Sequence, residues 1–175
     1  MIRKATAVDL DDIVDAYEEH FAFEESHPAQ AFTVFKRGVY PTRRDAEKAL
    51  ADDGLTVYEE DGYILASVIT SRHQPPEYAR VAWQRALDAD AVCVIHLLMV
   101  RPSASGHGIG AQLMRYIEAQ AQVAGMQALR LDTGSQNKPA VHLYEKLGFR
   151  IVADGAMKVG GAVPHEGHLF LEKLL

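Results

Sequence analysis

Apolar and polar positions along the chain change period several times, and each change marks an element. Residues 2–4 fit a first short strand. Thr6 with Asp9 is a capping signal ahead of an apolar-periodic run, which predicts a helix over about residues 8–23. Thr42 with Asp45, just after Pro41, repeats the signal for a second helix ending near Asp52. The stretch between them, ESHPAQAFTVFKRGVYP, is aromatic-rich and has no period. A loop of that length in a compact domain is either a cover over a substrate or a segment packed on the core, and the sequence leaves both open. Residues 55–59 and 63–71 alternate as strands around Glu60, Asp61 and Gly62, which reads as a hairpin. QPPEYARVAWQRALDAD predicts a short helix opened by prolines, with Trp83 as a packing residue.

Residues 92–100 are almost continuously apolar, the pattern of a strand covered on both faces. Ile109, Leu113, Ile117 and Ala121 then fall on one helical face, and Gly125 stops that helix. Residues 129–132 read as a strand, 139–147 as a helix closed by Gly148, and 149–152 and 168–174 as final strands. The order β-α-α-β-β-α-β-α-β-α-β-β predicts an α/β fold, a mixed sheet of about seven strands with helices on both faces.

Composition narrows this picture only at its edges. With 175 residues, 48% hydrophobic and 24% charged, the chain fits a single domain over residues 1–175 with no linker or repeat. No stretch approaches the roughly 18 apolar residues of a membrane span, and the first residues lack a signal-type apolar region, so the expectation is a cytoplasmic protein with no membrane partner. A net charge of -6 argues against nucleic acid as a partner and suits a cationic substrate. Cys93, the single cysteine, lies in an apolar run and reads as an inert buried thiol.

Chemistry enters at SGHGIG, residues 105–110, between the apolar strand and the amphipathic helix. A glycine loop entering a helix offers unpaired N–H groups at the positive end of the helix dipole, a site for phosphate. A Walker loop requires Gly-Lys-Ser/Thr, whereas Gly110 is followed by Ala111 and Gln112. A dinucleotide fingerprint matches on Gly106, Gly108, Ala111 and a later acid, Asp132. It fails on context, because RPSAS separates Val100 from Gly106 where that motif needs a tight strand-to-glycine turn.

From Val94 to Phe149 the chain resembles the GNAT superfamily of acetyl-CoA-dependent N-acetyltransferases. The resemblance rests on a strand ending VRP, the loop SGHGIG, the helix AQLMRYIEAQAQVAG, the strand ALRLDT and the run NKPAVHLYEKLGF. It departs at Ser105, which stands where the family loop usually has Gln or Arg. The resemblance implies the GNAT fold with a splay between the fourth and fifth strands, acetyl-CoA as co-substrate, no metal, and transfer of an acetyl group to an amine. It further implies that the backbone of Leu98, Met99 and Val100 holds the pantetheine arm. The pyrophosphate would lie on Ser105, Gly106, His107, Gly108, Ile109, Gly110 and Ala111, with Asn137 at the arm from the other side. Asn137 also reads as a helix N-cap before Lys138 and Pro139, and the two roles are compatible.

Tyr144 matches the family tyrosine that protonates the departing thiolate, although Ala140, Tyr144 and Leu147 also make an apolar helical stripe. His96 is the one ionisable residue of its strand. Strict alternation puts Val94, His96 and Leu98 on one face, and VIHLLMV resembles arylalkylamine-acetylating members, which makes His96 either a general base or a buried structural histidine. HEGH, residues 165–168, lacks the H-E-x-x-H spacing of a metal-binding helix. His20 and His27 read as solvated, and His142 as exposed. The expected activity is N-acetylation of a small amine, with a homodimer as a possible assembly. A non-catalytic acyl-CoA-binding module and an acetyltransferase of protein N-terminal or lysine amines are the alternatives.

Overall fold

A computed structural model describes residues 1–175. Seven strands form one sheet in the order β1-β2-β3-β4-β5-β7-β6. They are β1 (Ile2–Lys4), β2 (Leu55–Glu60), β3 (Tyr63–Ser71), β4 (Val92–Val100), β5 (Ala128–Gly134), β6 (Arg150–Val159) and β7 (Val163–Leu174). Four helices, α1 (Leu10–Ser26), α2 (Arg43–Ala51), α3 (Ile109–Val123) and α4 (Lys138–Lys146), cover it. Helices α1 and α2 close one apolar cluster with Leu97 and Met99 of β4, and α3 and α4 close another with Ile95, Leu129 and Leu131. No helix is long and apolar enough to cross a membrane.

The capping signals form as the sequence predicts. The Thr6 and Thr42 backbone N–H groups each donate to the acid three residues on at 2.7 Å, Asp9 and Asp45. The first box opens a 3-10 turn, Ala7–Asp9, that runs directly into α1. In the β2–β3 hairpin, Asp61 and Gly62 both have positive φ, as a tight turn matched to strand twist requires.

Three expectations need correction. The predicted helix over residues 74–90 is a single 3-10 turn, Pro76–Arg80, followed by irregular chain and a second 3-10 turn, Ala89–Ala91. A buried ion pair holds that segment: Arg130 Nε donates to Glu172 Oε1 at 2.9 Å, both side chains being at most 3% exposed. Arg130 also donates to the Gln74 side chain and the Arg85 carbonyl, and the Gln84 N–H donates to Glu172. Backbone groups that a helix would pair internally are thus bonded to β5 and β7. The final strands are longer than predicted, because β6 gains its structure by pairing with β7 through a turn at Gly160 and Gly161. Its own sequence, with Ala153, Asp154, Gly155 and Ala156 at its centre, carries little strand signal.

The third correction concerns β4. Ile69 pairs with Leu97 but Thr70 pairs with Ile95, so His96 is the extra residue of a β-bulge. Alternation breaks there. Val94 packs with Tyr78 and Phe170, whereas Leu98 packs against the α3 cluster on the opposite face, so Val94, His96 and Leu98 do not share one face.

Candidate active site

Strands β4 and β5 pair in parallel only from Val92 with Ala128 to Ile95 with Leu131. Beyond that point β5 continues beside β7 as far as Gly134 opposite His168, while β4 stays with β3 as far as Val100 opposite Ala66. The bulge at His96 lies at the parting, and its added local twist turns β4 away from β5. The parting opens a cavity of about 570 Å³ that runs from the glycine loop between the strands to the segment joining α1 and α2.

The loop side is shaped by glycine. Gly106 and Gly108 have φ of +82° and +75°, and a Cβ on either would meet no protein atom within 4 Å, so both leave their space to whatever enters. Gly108 is the N-cap of α3, whose N-terminus therefore faces the loop with its first N–H groups unpaired. A Cβ on Gly110 would sit 3.4 Å from Leu143 and 3.6 Å from Val100, narrowing the cleft between α3 and β4. Leu98, Val100, Ser105, Ala111 and Asn137 line the cavity. Met99 and Ile109 line it too, but their side chains are buried in the two cores, so they offer main chain only. His107 is exposed and lies off the lining, its Nδ1 3.3 Å from the Ala104 carbonyl. Asn137 Oδ1 accepts the Ala140 N–H at 3.3 Å, so the N-cap role is present.

Tyr144 lies midway along the cavity, buried and packed on Phe149 with ring centroids 5.8 Å apart. Burial, with the nearby Asp132, raises its phenol above the ordinary range, so it is protonated at neutral pH. His96 lines the same space, its Nε2 2.7 Å from the Ser71 hydroxyl. Burial pushes its imidazole down to about 4, and His96 is neutral at pH 7. Opposite it on β5 stands Asp132, whose carboxyl burial pushes up to about 6. Tyr78 donates to Asp132 Oδ1 at 2.9 Å, and His168 Nε2 lies 3.6 Å from Oδ2.

At the far end, α1 contributes His20, Phe23 and Glu24, and the joining segment contributes Gln30 and residues 32–35. Glu24 accepts the Thr33 N–H at 2.9 Å and the Thr33 hydroxyl at 2.8 Å, and this ties the segment to α1. The aromatic-rich loop is thus both packed on the core, through Tyr40, and a wall of the cavity. His27 and His142 are exposed as expected. His20 is not solvated as the sequence suggests: it is half-buried between Thr33 and the Phe35 ring and faces the cavity. Two further groups, Asp132 and His168, escape a motif-based reading. The usable signal is that Asp132 is the one acid of a strand, ALRLDTG, whose other charge is Arg130.

The arrangement is that of known proteins. The model of the Acetyltransferase (GNAT) family matches residues 11–149. The chain is 32% identical over 114 residues to the mycothiol acetyltransferase of Cellulomonas flavigena, covering 65% of this chain and 31% of that protein. It is 29% identical over 106 residues to the L-amino acid N-acyltransferase of Escherichia coli, covering 61% of this chain and 55% of that protein. The chain thus spans from about a third to just over half the length of these relatives. Among solved structures, a GNAT-family acetyltransferase from Streptococcus agalactiae superimposes with a TM-score of 0.76 at 19% identity, over 100% of this chain and 95% of that one. The PaiA N-acetyltransferase of Thermoplasma acidophilum, in complex with coenzyme A, gives 0.71 at 14% identity, over 100% and 98%. With the split between β4 and β5, the glycine loop before α3 and a family match over most of its length, the chain belongs to the GNAT acetyltransferase family.

Proposed function

We propose that this chain transfers an acetyl group from acetyl-CoA to a small amine. The observation that carries the reading is the continuity of one cavity from the glycine loop, past Tyr144, to a lobe walled by α1 and the segment after it. The residues present fit the co-substrate. Positive-φ glycines at 106 and 108 leave open space at the N-terminus of α3 where phosphate can approach the backbone, and Leu98, Val100, Ala140 and Leu143 give an apolar run for the arm. Ser105 offers a hydroxyl where the family usually has a long cationic or amide side chain, so backbone amides carry most of the phosphate binding.

Acetyl-CoA supplies the acyl group as an activated thioester. Tyr144 protonates the thiolate as it leaves, an acid role suited to a phenol kept protonated by burial. The acceptor amine must lose a proton before it attacks, and two groups that line the cavity can accept one, His96 of the β4 motif and Asp132 on β5. The tie between Glu24 and Thr33 holds the joining segment as a wall of the acceptor lobe, which favours a small acceptor over the end of a protein. Two relatives, a mycothiol acetyltransferase and an L-amino acid N-acyltransferase, lean the same way.

The test is release of free CoA, followed with a thiol reagent, across a panel of small primary amines, amino acids and short peptides. Turnover with small amines or amino acids is the expected outcome. Tight acetyl-CoA binding without turnover on any acceptor would instead identify a binding module, and turnover confined to peptides would identify a protein-modifying enzyme.

A further inference from the structure

The reacting end of the cavity holds a carboxylate to which the catalytic motifs do not point. Asp132 stands on β5 one residue beyond the last pairing with β4, and its two oxygens are held differently. Oδ1 accepts the Tyr78 hydroxyl at 2.9 Å, whereas Oδ2 is 3.6 Å from His168 Nε2, beyond hydrogen-bond length. Oδ2 therefore has capacity for a donor arriving through the cavity that Asp132 lines. His168 does not neutralise it. Its Nδ1 is 2.9 Å from His165 Nδ1, and burial, with His165 beside it, pushes its imidazole down to about 4, so the ring is uncharged at pH 7.

We infer that Asp132 receives the acceptor's ammonium group and removes its proton, a role that rests on the proposed acetyl transfer and takes the place of His96 in it. The acceptor class that follows is a primary aliphatic amine entering as a cation. Its first proton passes to Oδ2, leaving a neutral amine with a free lone pair and a carboxylic acid on Asp132. As the C–N bond forms and the C–S bond breaks, Tyr144 gives its proton to the thiolate and the nitrogen's second proton passes to the Tyr144 phenolate, which restores the phenol. Asp132 returns its proton to solvent once the product leaves, so one proton is released per turnover.

The surroundings of Asp132 suit this work. Tyr78 and Glu77 face it from the 3-10 turn, Tyr144 from α4, Tyr40 from the joining segment and His168 from β7. Arg130, the cation on the same strand, is committed to Glu172 and Gln74. Burial first, and Glu77 to a smaller degree, raise the Asp132 carboxyl to about 6 against the lowering effect of the Tyr78 hydrogen bond. It is ionised at pH 7 and a stronger base than an ordinary carboxylate. Taking a proton from an ammonium of pKa roughly 10 is about 10⁴-fold uphill for a group near 6 and about 10⁶-fold uphill for one near 4. That difference selects Asp132 over His96, whose imidazole sits at about 4.

Wild type, Asp132→Asn and His96→Gln are compared in kcat/KM against pH, with a primary aliphatic amine and with a weakly basic aromatic amine already neutral at pH 7. Asp132→Asn keeps an oxygen for Tyr78. It should lower kcat/KM for the aliphatic amine about 10²-fold or more at pH 7, abolish the acidic limb near pH 6, and leave the aromatic amine less affected. Calorimetric acetyl-CoA affinity should stay within about twofold, since Asp132 is away from the loop. His96→Gln should keep the limb near pH 6, a readout that holds even if the Asp132 variant fails to fold. Loss of that limb in His96→Gln, or an unchanged profile in Asp132→Asn, overturns the assignment while acetyl transfer itself stands. A wild type that binds acetyl-CoA and turns over no amine overturns both.

Discussion

Tyr144 and Gly108 carry the two single-residue predictions. Tyr144→Phe keeps the ring that packs on Phe149 and removes only the hydroxyl, so kcat should fall about 10²- to 10⁴-fold with acetyl-CoA affinity unchanged. Single-turnover rates decide it, and an unaltered chemical step would return Tyr144 to a packing role. At Gly108 the backbone is left-handed, with φ +75°, and no protein atom lies near a built Cβ. Gly108→Val should therefore act in two ways: roughly 1–2 kcal/mol of backbone strain, and branched bulk in space open to the phosphates. Titration calorimetry on the folded variant should show acetyl-CoA binding weakened at least tenfold, and full affinity would remove the loop from the binding site. The motif made Tyr144 and Gly108 visible in the sequence. Asp132 was hidden as a catalytic group, because its significance comes from Tyr78 and His168, 54 and 36 positions away in the chain.

At the scale of elements, local chemistry and long-range pairing divide the structure. Helices α1 and α2 announce themselves by Thr-x-x-Asp boxes, and α4 by Asn137 and Pro139, because a cap is formed by residues three apart. Residues 74–90 carry helix-like spacing yet fold otherwise, because Arg130 and Glu172 take their backbone groups. Arg130 also lies over the Trp83 ring, 4.3 Å from its centroid, so the segment is fastened at several points to one buried pair. Arg130→Met leaves the Glu172 carboxylate buried without its partner, and should destabilise the fold by about 3–5 kcal/mol. Removing both charges in Arg130→Met/Glu172→Leu should recover most of that loss. Urea unfolding of the two variants checks the ordering, and equal stability for both would mean the pair is not what holds the segment. The β4 bulge belongs to the same class of feature: VIHLLMV contains no glycine or proline to announce it, and it exists because β3 pairs across it.

For the molecule as a whole, the buried ionisable groups of the site predict how stability follows pH. His96 and His168 titrate at about 4 in the fold against 6.5 unfolded, so the unfolded chain binds more protons between those values, and stability falls as pH drops through that window. Asp132 acts oppositely: its folded value of about 6 exceeds the unfolded 3.8, so its burial destabilises at pH 7 and the penalty is relieved as pH falls through 6 toward 4. The histidines outweigh the carboxyl, for a net loss on the order of 3–4 kcal/mol between pH 7 and pH 4. Below pH 4 the histidine contribution is spent and the loss continues as Asp9, held down to about 2 first of all by its hydrogen bonds with Arg3, is protonated. Asp132→Asn should accordingly be more stable than wild type at pH 7, by about 2–3 kcal/mol, with the two converging near pH 4. Scanning calorimetry across that range measures it, and a variant less stable at pH 7 would mean that the buried carboxylate is not strained. The caps, the seven strands and four α-helices in their order, the glycine loop and, through its motifs, the family are written in residues close together along the chain. The bulge that makes His96 the extra residue, the irregular course of residues 74–90, the length of β6, and the meeting of Asp132, Tyr78 and His168 arise from contacts between distant parts of the chain. Those depend on which strands lie side by side and on how deeply burial shifts a charge, and neither is encoded by any local spacing.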